Sequence, residues 1–356
     1  MRNRFISQAS SVAVMAFALI SLTAAPGAAQ TAKPAAKSGI PRMPDGHPDL
    51  QGSYDPSTMT TFERLPSDPT VLTKERAEQI QNAELARRNA DGGKLDPNRP
   101  RLPVGGDTSP ATSYYDSIER AAGGAVGGFD RLWFSEGTSY TVVDRQIRTS
   151  IVIDPPDGRV PPFNAAGQKR NPRRGRGAIA AGTEYDSAKQ RPIWERCLLR
   201  NAGPPAIPDL FYNDLHQIVQ TPNAIMILTE MMHDARIVRM NAQHVDKKFR
   251  FWMGDSVGRW EGDTLVIDTT NFNDKTRFRG STENLHVVER LTRDNKGLLY
   301  HFTVEDPETW DRPWTGEMMW AATDQQIFEY ACHEGNYALP DILKGARKAE
   351  ADSAKQ

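Results

Sequence analysis

The sequence predicts a mainly β protein, an antiparallel barrel or strongly curved sheet preceded by an irregular segment with one helix. Three observations carry that prediction. From Tyr212 onward, short strand-like runs follow one another at meander spacing, over residues 217–220, 224–230, 235–240, 264–270, 285–292, 298–305, 315–321 and 326–332. Turn signals such as Thr221-Pro222-Asn223, Asp294-Asn295-Lys296-Gly297 and Asp306-Pro307 separate them. The second observation is the 25 prolines and 27 glycines, which demand long ordered loops and argue against a helical bundle. The third is the β-branched run Thr264-Leu265-Val266-Ile267-Asp268-Thr269-Thr270 behind the tight turn Glu261-Gly262-Asp263, which reads as the central strand that sets the register.

At the N-terminus, Arg2 and Arg4 precede an apolar stretch, Val12 to Leu22, that ends in small residues near Ala29. This is the pattern of a secretory signal peptide over 1–29, and it directs the chain to the periplasm or the medium. The apolar run is shorter than the ~20 residues a spanning helix needs, so no stable membrane insertion is expected after cleavage. Residues 30–40 are rich in Ala, Lys, Pro and Thr and read as a disordered linker. Net charge is −1 from 44 basic and 45 acidic side chains, so no global field draws the protein to nucleic acid or anionic lipid. The two cysteines, Cys197 and Cys332, are expected to pair in an oxidising compartment, with a metal or catalytic thiol as the alternative. In the chain-entropy model such a bond stabilises the fold by roughly 4 to 5 kcal/mol.

Residues 41–137 read as an irregular segment that wraps the sheet. Leu50 to Tyr54 is a short first strand, and its Gly52-Ser53-Tyr54 matches the Gly-x-aromatic start of calycin-like barrels. A helix is expected over 73–90, capped by Thr73, with Glu75 in its first turn and Arg87 and Arg88 near its end. The Gly-rich run 122–128 lacks the Lys-Ser/Thr ending of a phosphate loop, and the basic run 169–176 lacks interleaved aromatics, so both read as loops. The β-domain spans 138–337, opening with a hairpin of 138–143 and 147–153. Residues 338–356 form a C-terminal helix and tail.

The stretch Gly258-Arg259-Trp260-Glu261-Gly262-Asp263-Thr264-Leu265-Val266-Ile267-Asp268-Thr269-Thr270-Asn271-Phe272 is preceded by Ile218-Val219-Gln220-Thr221-Pro222. It is followed by Leu285-His286-Val287-Val288-Glu289-Arg290, Val304-Glu305-Asp306-Pro307 and Trp310 to Trp314. In this order the motifs resemble a large family of exported bacterial proteins with a GRWEGDTLV(V/I)DT signature, over residues 140–337. The resemblance implies export and one continuous sheet region; it carries no activity and no catalytic residue. Relatives with Gly-His-Ser where this chain has Gly254-Asp255-Ser256 hold a histidine that is absent here.

Gly254-Asp255-Ser256-Val257-Gly258 matches the G-x-S-x-G nucleophile elbow, but a strand follows it where a helix should. His333-Glu334 starts like H-E-x-x-H, yet Tyr337 stands where the second histidine belongs. Strand alternation places Glu289 among Leu285, Val287 and Leu291, and Glu329 and His333 beside Ile327 and Ala331. Charged groups among apolar neighbours need partners. One reading pairs them with Arg236, Arg290 and Arg312 to fix the register. The other places His233 and His333, with Glu230, Glu289 and Glu334, around a cavity as general acid/base residues. Trp310 and Trp314, either core or an exposed stacking platform, join Arg236 and Asn271 as ligand-binding candidates. No metal and no cofactor are expected, since no two histidines sit at ligand spacing on one element. The expected function is an exported, cofactor-independent lyase, isomerase or hydrolase acting on a small organic molecule. The alternative is a non-catalytic periplasmic ligand carrier.

Overall fold

The computed structural model describes residues 39–91, 137–170, 185–200, 203–207, 213–276 and 278–355. The signal-peptide, Gly-rich-run and most basic-run expectations fall outside them. The strands are β1 (Gly52–Asp55), β2 (Val71–Leu72), β3 (Val142–Val143), β4 (Gln146–Arg148), β5 (Val152–Asp154), β6 (His216–Gln220), β7 (Ala224–Thr229) and β8 (Asp234–Met240). They continue with β9 (Asp255–Glu261), β10 (Thr264–Thr270), β11 (His286–Arg293), β12 (Gly297–Glu305) and β13 (Trp314–Thr323). Among the described residues three α-helices accompany them: α1 (Lys74–Asp91), α2 (Ala165–Arg170) and α3 (Ala338–Ser353). Thr73 caps α1 as expected, its hydroxyl accepting from the Arg76 N–H at 3.2 Å.

Nine strands close into a barrel in the order β1-β6-β7-β8-β9-β10-β11-β12-β13, with β13 pairing back to β1. Along one edge of β13, β5 pairs with Thr315 and Gly316 while β1 pairs with Ala321 to Thr323. A separate small sheet has the order β2-β4-β3. Every barrel pairing is antiparallel except β8 with β9, so the expected meander is broken there and residues 241–254 cross from one barrel end to the other. The strands bury alternate residues, as a closed sheet requires. Val287, Glu289 and Leu291 of β11 and Leu298, Tyr300, Phe302 and Val304 of β12 are all fully buried.

Two glycines are dictated by geometry. Gly262 (φ +61) makes the tight β9–β10 turn. At Gly316 a Cβ would lie 2.3 Å from Phe302 Cζ, so only a bare backbone lets that ring lie across β13. Tight connections, 221–223, 262–263 and 294–296, occupy one end of the barrel, and the longer ones, 230–233, 271–285 and 306–313, occupy the other.

The nucleophile elbow is absent, as the sequence argued, and two sequence expectations are corrected. Residues 255–261 form β9, so the G-x-S-x-G match lies in a strand, with Ser256 buried and its hydroxyl 2.9 Å from that of Thr269. Residues 326–332 are not a strand, because the β13 edge that would receive one is already filled by β1 and β5. The expected hairpin of 138–143 and 147–153 is reduced to the short β3 and β4, and β5 leaves it to join the barrel.

Candidate functional site

Inside the barrel lies a paired charge, satisfied at Glu289 but with Arg236 Nε left without a partner among the described residues. Glu289 receives both ends of the Arg236 guanidinium, Nη2 to Oε1 at 2.9 Å, and the Tyr300 hydroxyl at 2.7 Å. The Tyr300 oxygen in turn accepts the Ala206 N–H at 2.9 Å. Arg236 is 3% exposed and Glu289 0%, so neither reaches a ligand from solvent. His216, its ring tilted 36° against Trp320 at 4.4 Å, has its pKa lowered to about 3 by burial and by the Arg236 charge, which keeps it neutral. Burial and the Glu289 charge push the Tyr300 hydroxyl well above its ordinary range. This is the register-fixing pair weighed for Glu289. Arg290 and Arg312 instead make exposed pairs, with Glu261 at 2.8 Å and Asp154 at 2.7 Å.

The other candidates meet at the barrel end with the longer loops. β7 stops at Thr229, and a 3₁₀ turn, Met231–His233, carries the chain into β8. There the Glu230 side chain, 4% exposed, accepts the Phe328 N–H at 3.0 Å. His233 Nε2 accepts the Tyr330 N–H at 2.8 Å, which places the imidazole proton on Nδ1. Side chains thus take the hydrogen bonds that a strand partner would have supplied to residues 326–332. The Cys197–Cys332 disulfide fastens the same segment. A cleft of about 290 Å³ results, lined by Met232, His233, Glu329, His333, Glu334 and the disulfide. Cys197 (φ 53), Met232 (φ 60) and His233 (φ 52) hold left-handed backbone there. Such strain in non-glycine residues clusters at ligand sites.

Asp234, next to His233, is the most perturbed acid nearby. Burial raises its pKa to about 7, against a hydrogen bond from the Arg200 backbone, and its Oδ2 has no partner among the described residues. Only its position after a histidine could have signalled this.

A second cluster escaped the sequence reading. His244, in the β8–β9 crossover, places Nδ1 3.1 Å from Asp255 and Nε2 3.1 Å from Asp268. His286 Nε2 lies 3.1 Å from the same Asp268 oxygen, and Arg239 donates to Asp255 at 2.8 Å. The His286 bond lowers the Asp268 pKa, and the Asp268 bond raises that of His286. The arrangement is a chain of ion pairs on the outer wall. Among the described residues no group of three or more His, Cys, Asp or Glu is placed to hold a metal ion.

The remaining candidates are structural in their geometry. Trp310 and Trp314 are 2% and 0% exposed and meet edge to face at 5.8 Å, so the exposed stacking platform is corrected to core. The loop that carries Trp310 folds inward because Asp306 accepts from the Thr309 hydroxyl and the Thr282 N–H. Asn271 (φ 58) donates to the Val245 carbonyl at 3.0 Å and pins the crossover. Among the described residues no helix is long and apolar enough to cross a membrane. No protein-family model, no curated protein and no solved structure matches the chain.

Proposed function

We propose that this is an exported barrel that binds a small polar organic molecule in the cleft beside the Cys197–Cys332 bond. One observation carries the reading: His233 and His333, far apart in the chain, line a single cleft. His233 offers its Nδ1–H as a donor, because its Nε2 is occupied by Tyr330. The His333 imidazole makes no hydrogen bond among the described residues, and Glu329 and Glu334 supply acceptors. A half-open cleft of about 290 Å³, just under the ~300 Å³ at which ligand pockets usually begin, suits only a small ligand. Export, and membership of the family that the sequence resembles, belong to this proposal. The N-terminal pattern and the paired cysteines support export.

A screen of small-molecule pools for thermal stabilisation, followed by His233→Ala and His333→Ala on any hit, tests the reading. Each variant should weaken binding about ten-fold or more, the loss of one charged or well-aligned hydrogen bond. Unchanged affinity in both variants removes the site.

General acid/base turnover is the second reading, and Asp234 favours it. Burial raises its carboxyl to about 7 and one oxygen is unpartnered among the described residues; it follows His233 in the chain and stands behind the residues that line the cleft. Ranked against it, none of His233, His333, Glu230, Glu289 and Glu334 hydrogen-bonds to another of the five. If a hit is turned over, Asp234→Asn should abolish turnover and leave its affinity intact. Equal turnover in that variant ends the catalytic reading.

A further inference from the structure

We propose that the tip of the β8–β9 crossover docks peripherally on an anionic lipid surface, without inserting a spanning segment. The tip reads Asp246-Lys247-Lys248-Phe249-Arg250-Phe251-Trp252. Three large aromatic side chains stand open to solvent within it, Phe249 at 52%, Phe251 at 44% and Trp252 at 36% exposure. Lys247 and Lys248 are exposed beside them, as is Lys275 on the adjoining loop. Rings interleaved with lysines suit the boundary between headgroups and acyl chains: the rings enter the apolar side while the ammonium groups stay with the phosphates.

The backbone of the tip is hydrogen-bonded to the adjoining loop. The Phe251 N–H donates to the Asn271 carbonyl at 2.9 Å, and its own carbonyl accepts the Asn273 N–H at 2.9 Å. The Trp252 carbonyl accepts the Thr276 hydroxyl at 2.5 Å. At the base of the tip, His244 is held between Asp255 and Asp268. Docking therefore orders little chain, and the rings are not loop residues awaiting a place in the core.

Charge and ring geometry select the partner. With a net charge of −1 the protein has no long-range attraction to polyanions, so binding must come from local charge together with apolar contact. Arg250 is tied to the Glu283 carbonyl at 2.9 Å and Lys248 lies 3.7 Å from Asp246, so Lys247 and Lys275 are the cations most open to a phosphate. Lys248 Nζ sits 5.2 Å from the Phe249 ring centroid, covering a face that a nucleobase would need for stacking. A lipid surface needs only the outward edges of the rings.

Co-sedimentation of the exported, purified protein with vesicles tests this. Vesicles of two parts phosphatidylcholine to one part phosphatidylglycerol are compared with phosphatidylcholine alone. The protein should pellet with the anionic vesicles only. Binding should fall about ten-fold or more in Lys247→Glu/Lys248→Glu, and likewise in Phe249→Ser/Trp252→Ser. Both lysines are exposed, Lys248 holding only a 3.7 Å surface pair with Asp246, so their reversal should change the unfolding temperature little, which separates lost docking from lost folding. The proposal is overturned if the protein binds neither vesicle, binds both equally, or binds anionic vesicles as well after the lysines are reversed. Binding to a soluble polyanion that survives Phe249→Ser/Trp252→Ser also overturns it.

Discussion

Tyr330 donates its backbone N–H to Nε2 of His233 at 2.8 Å, across 97 positions of sequence. An imidazole here does the work of a strand neighbour, and with Glu230 it holds the chain that walls the cleft. His233→Ala should therefore raise amide hydrogen exchange at Tyr330 while lowering global stability by only about 1 kcal/mol, the net worth of one hydrogen bond. Exchange followed by NMR decides it; unchanged protection at Tyr330 would show that the bond carries nothing.

The Arg236–Glu289 pair makes a different demand, because it is buried. Glu289→Gln leaves a guanidinium facing a neutral partner and should cost on the order of 3 to 5 kcal/mol in urea unfolding. Arg236→Met/Glu289→Leu removes both charges and should cost less than Glu289→Gln alone. A double variant less stable than the single one would contradict the view that this pair fixes register more than it stabilises.

Stability should depend on pH with opposite signs at two places. Asp268 is lowered by its bond from His286, so its contribution is present above 3.8 and lost as pH falls through the folded value. His286 is raised by the same bond, so its contribution is full below 6.5 and lost as pH rises through its folded value. His286→Asn should thus trail the parent most between pH 3.8 and 6.5, by about 1 kcal/mol for a pair this open to water. Asp234 behaves otherwise: it holds its proton to about 7 when folded but ionises from 3.8 when unfolded, so the parent loses stability across that interval. Asp234→Asn should gain on the parent as pH rises to 7, by about 2 kcal/mol once its partial exposure is discounted. Unfolding temperatures across pH measure both differences.

Gly316→Ala tests the barrel packing. Its new methyl group would meet Phe302 Cζ at 2.3 Å and should cost about 1 to 3 kcal/mol. Adding Phe302→Leu should recover part of the loss, as measured by denaturant midpoint.

Much of the barrel was legible because burial writes a period of two into the chain. Thr264–Thr270 falls where its β-branched run ends, and alternation with Val287 and Leu291 placed Glu289 inside. β9 was not legible because residues 255–261 carry no β-branched run and contain a glycine at 258. In the fold that glycine marks close contact: a Cβ would lie 2.7 Å from both Met240 Sδ and Val238 Cγ1. Residues 326–332 alternate as a strand would, and nothing local reveals that β13 has no edge left for them. His244 lies in a loop without periodicity, so only the fold could bring it to Asp268. The left-handed turn at Met232 and His233 is equally unreadable, since methionine does not favour that conformation and histidine, though enriched there, adopts it in only a small fraction of cases.

The cleft as ligand site is tested most directly by the imidazole NMR resonances of His233 and His333 during titration with a stabilising small molecule. Both should shift together, with one apparent Kd matching that of the thermal stabilisation. Stabilisation with both resonances unmoved would place the ligand elsewhere and contradict the account.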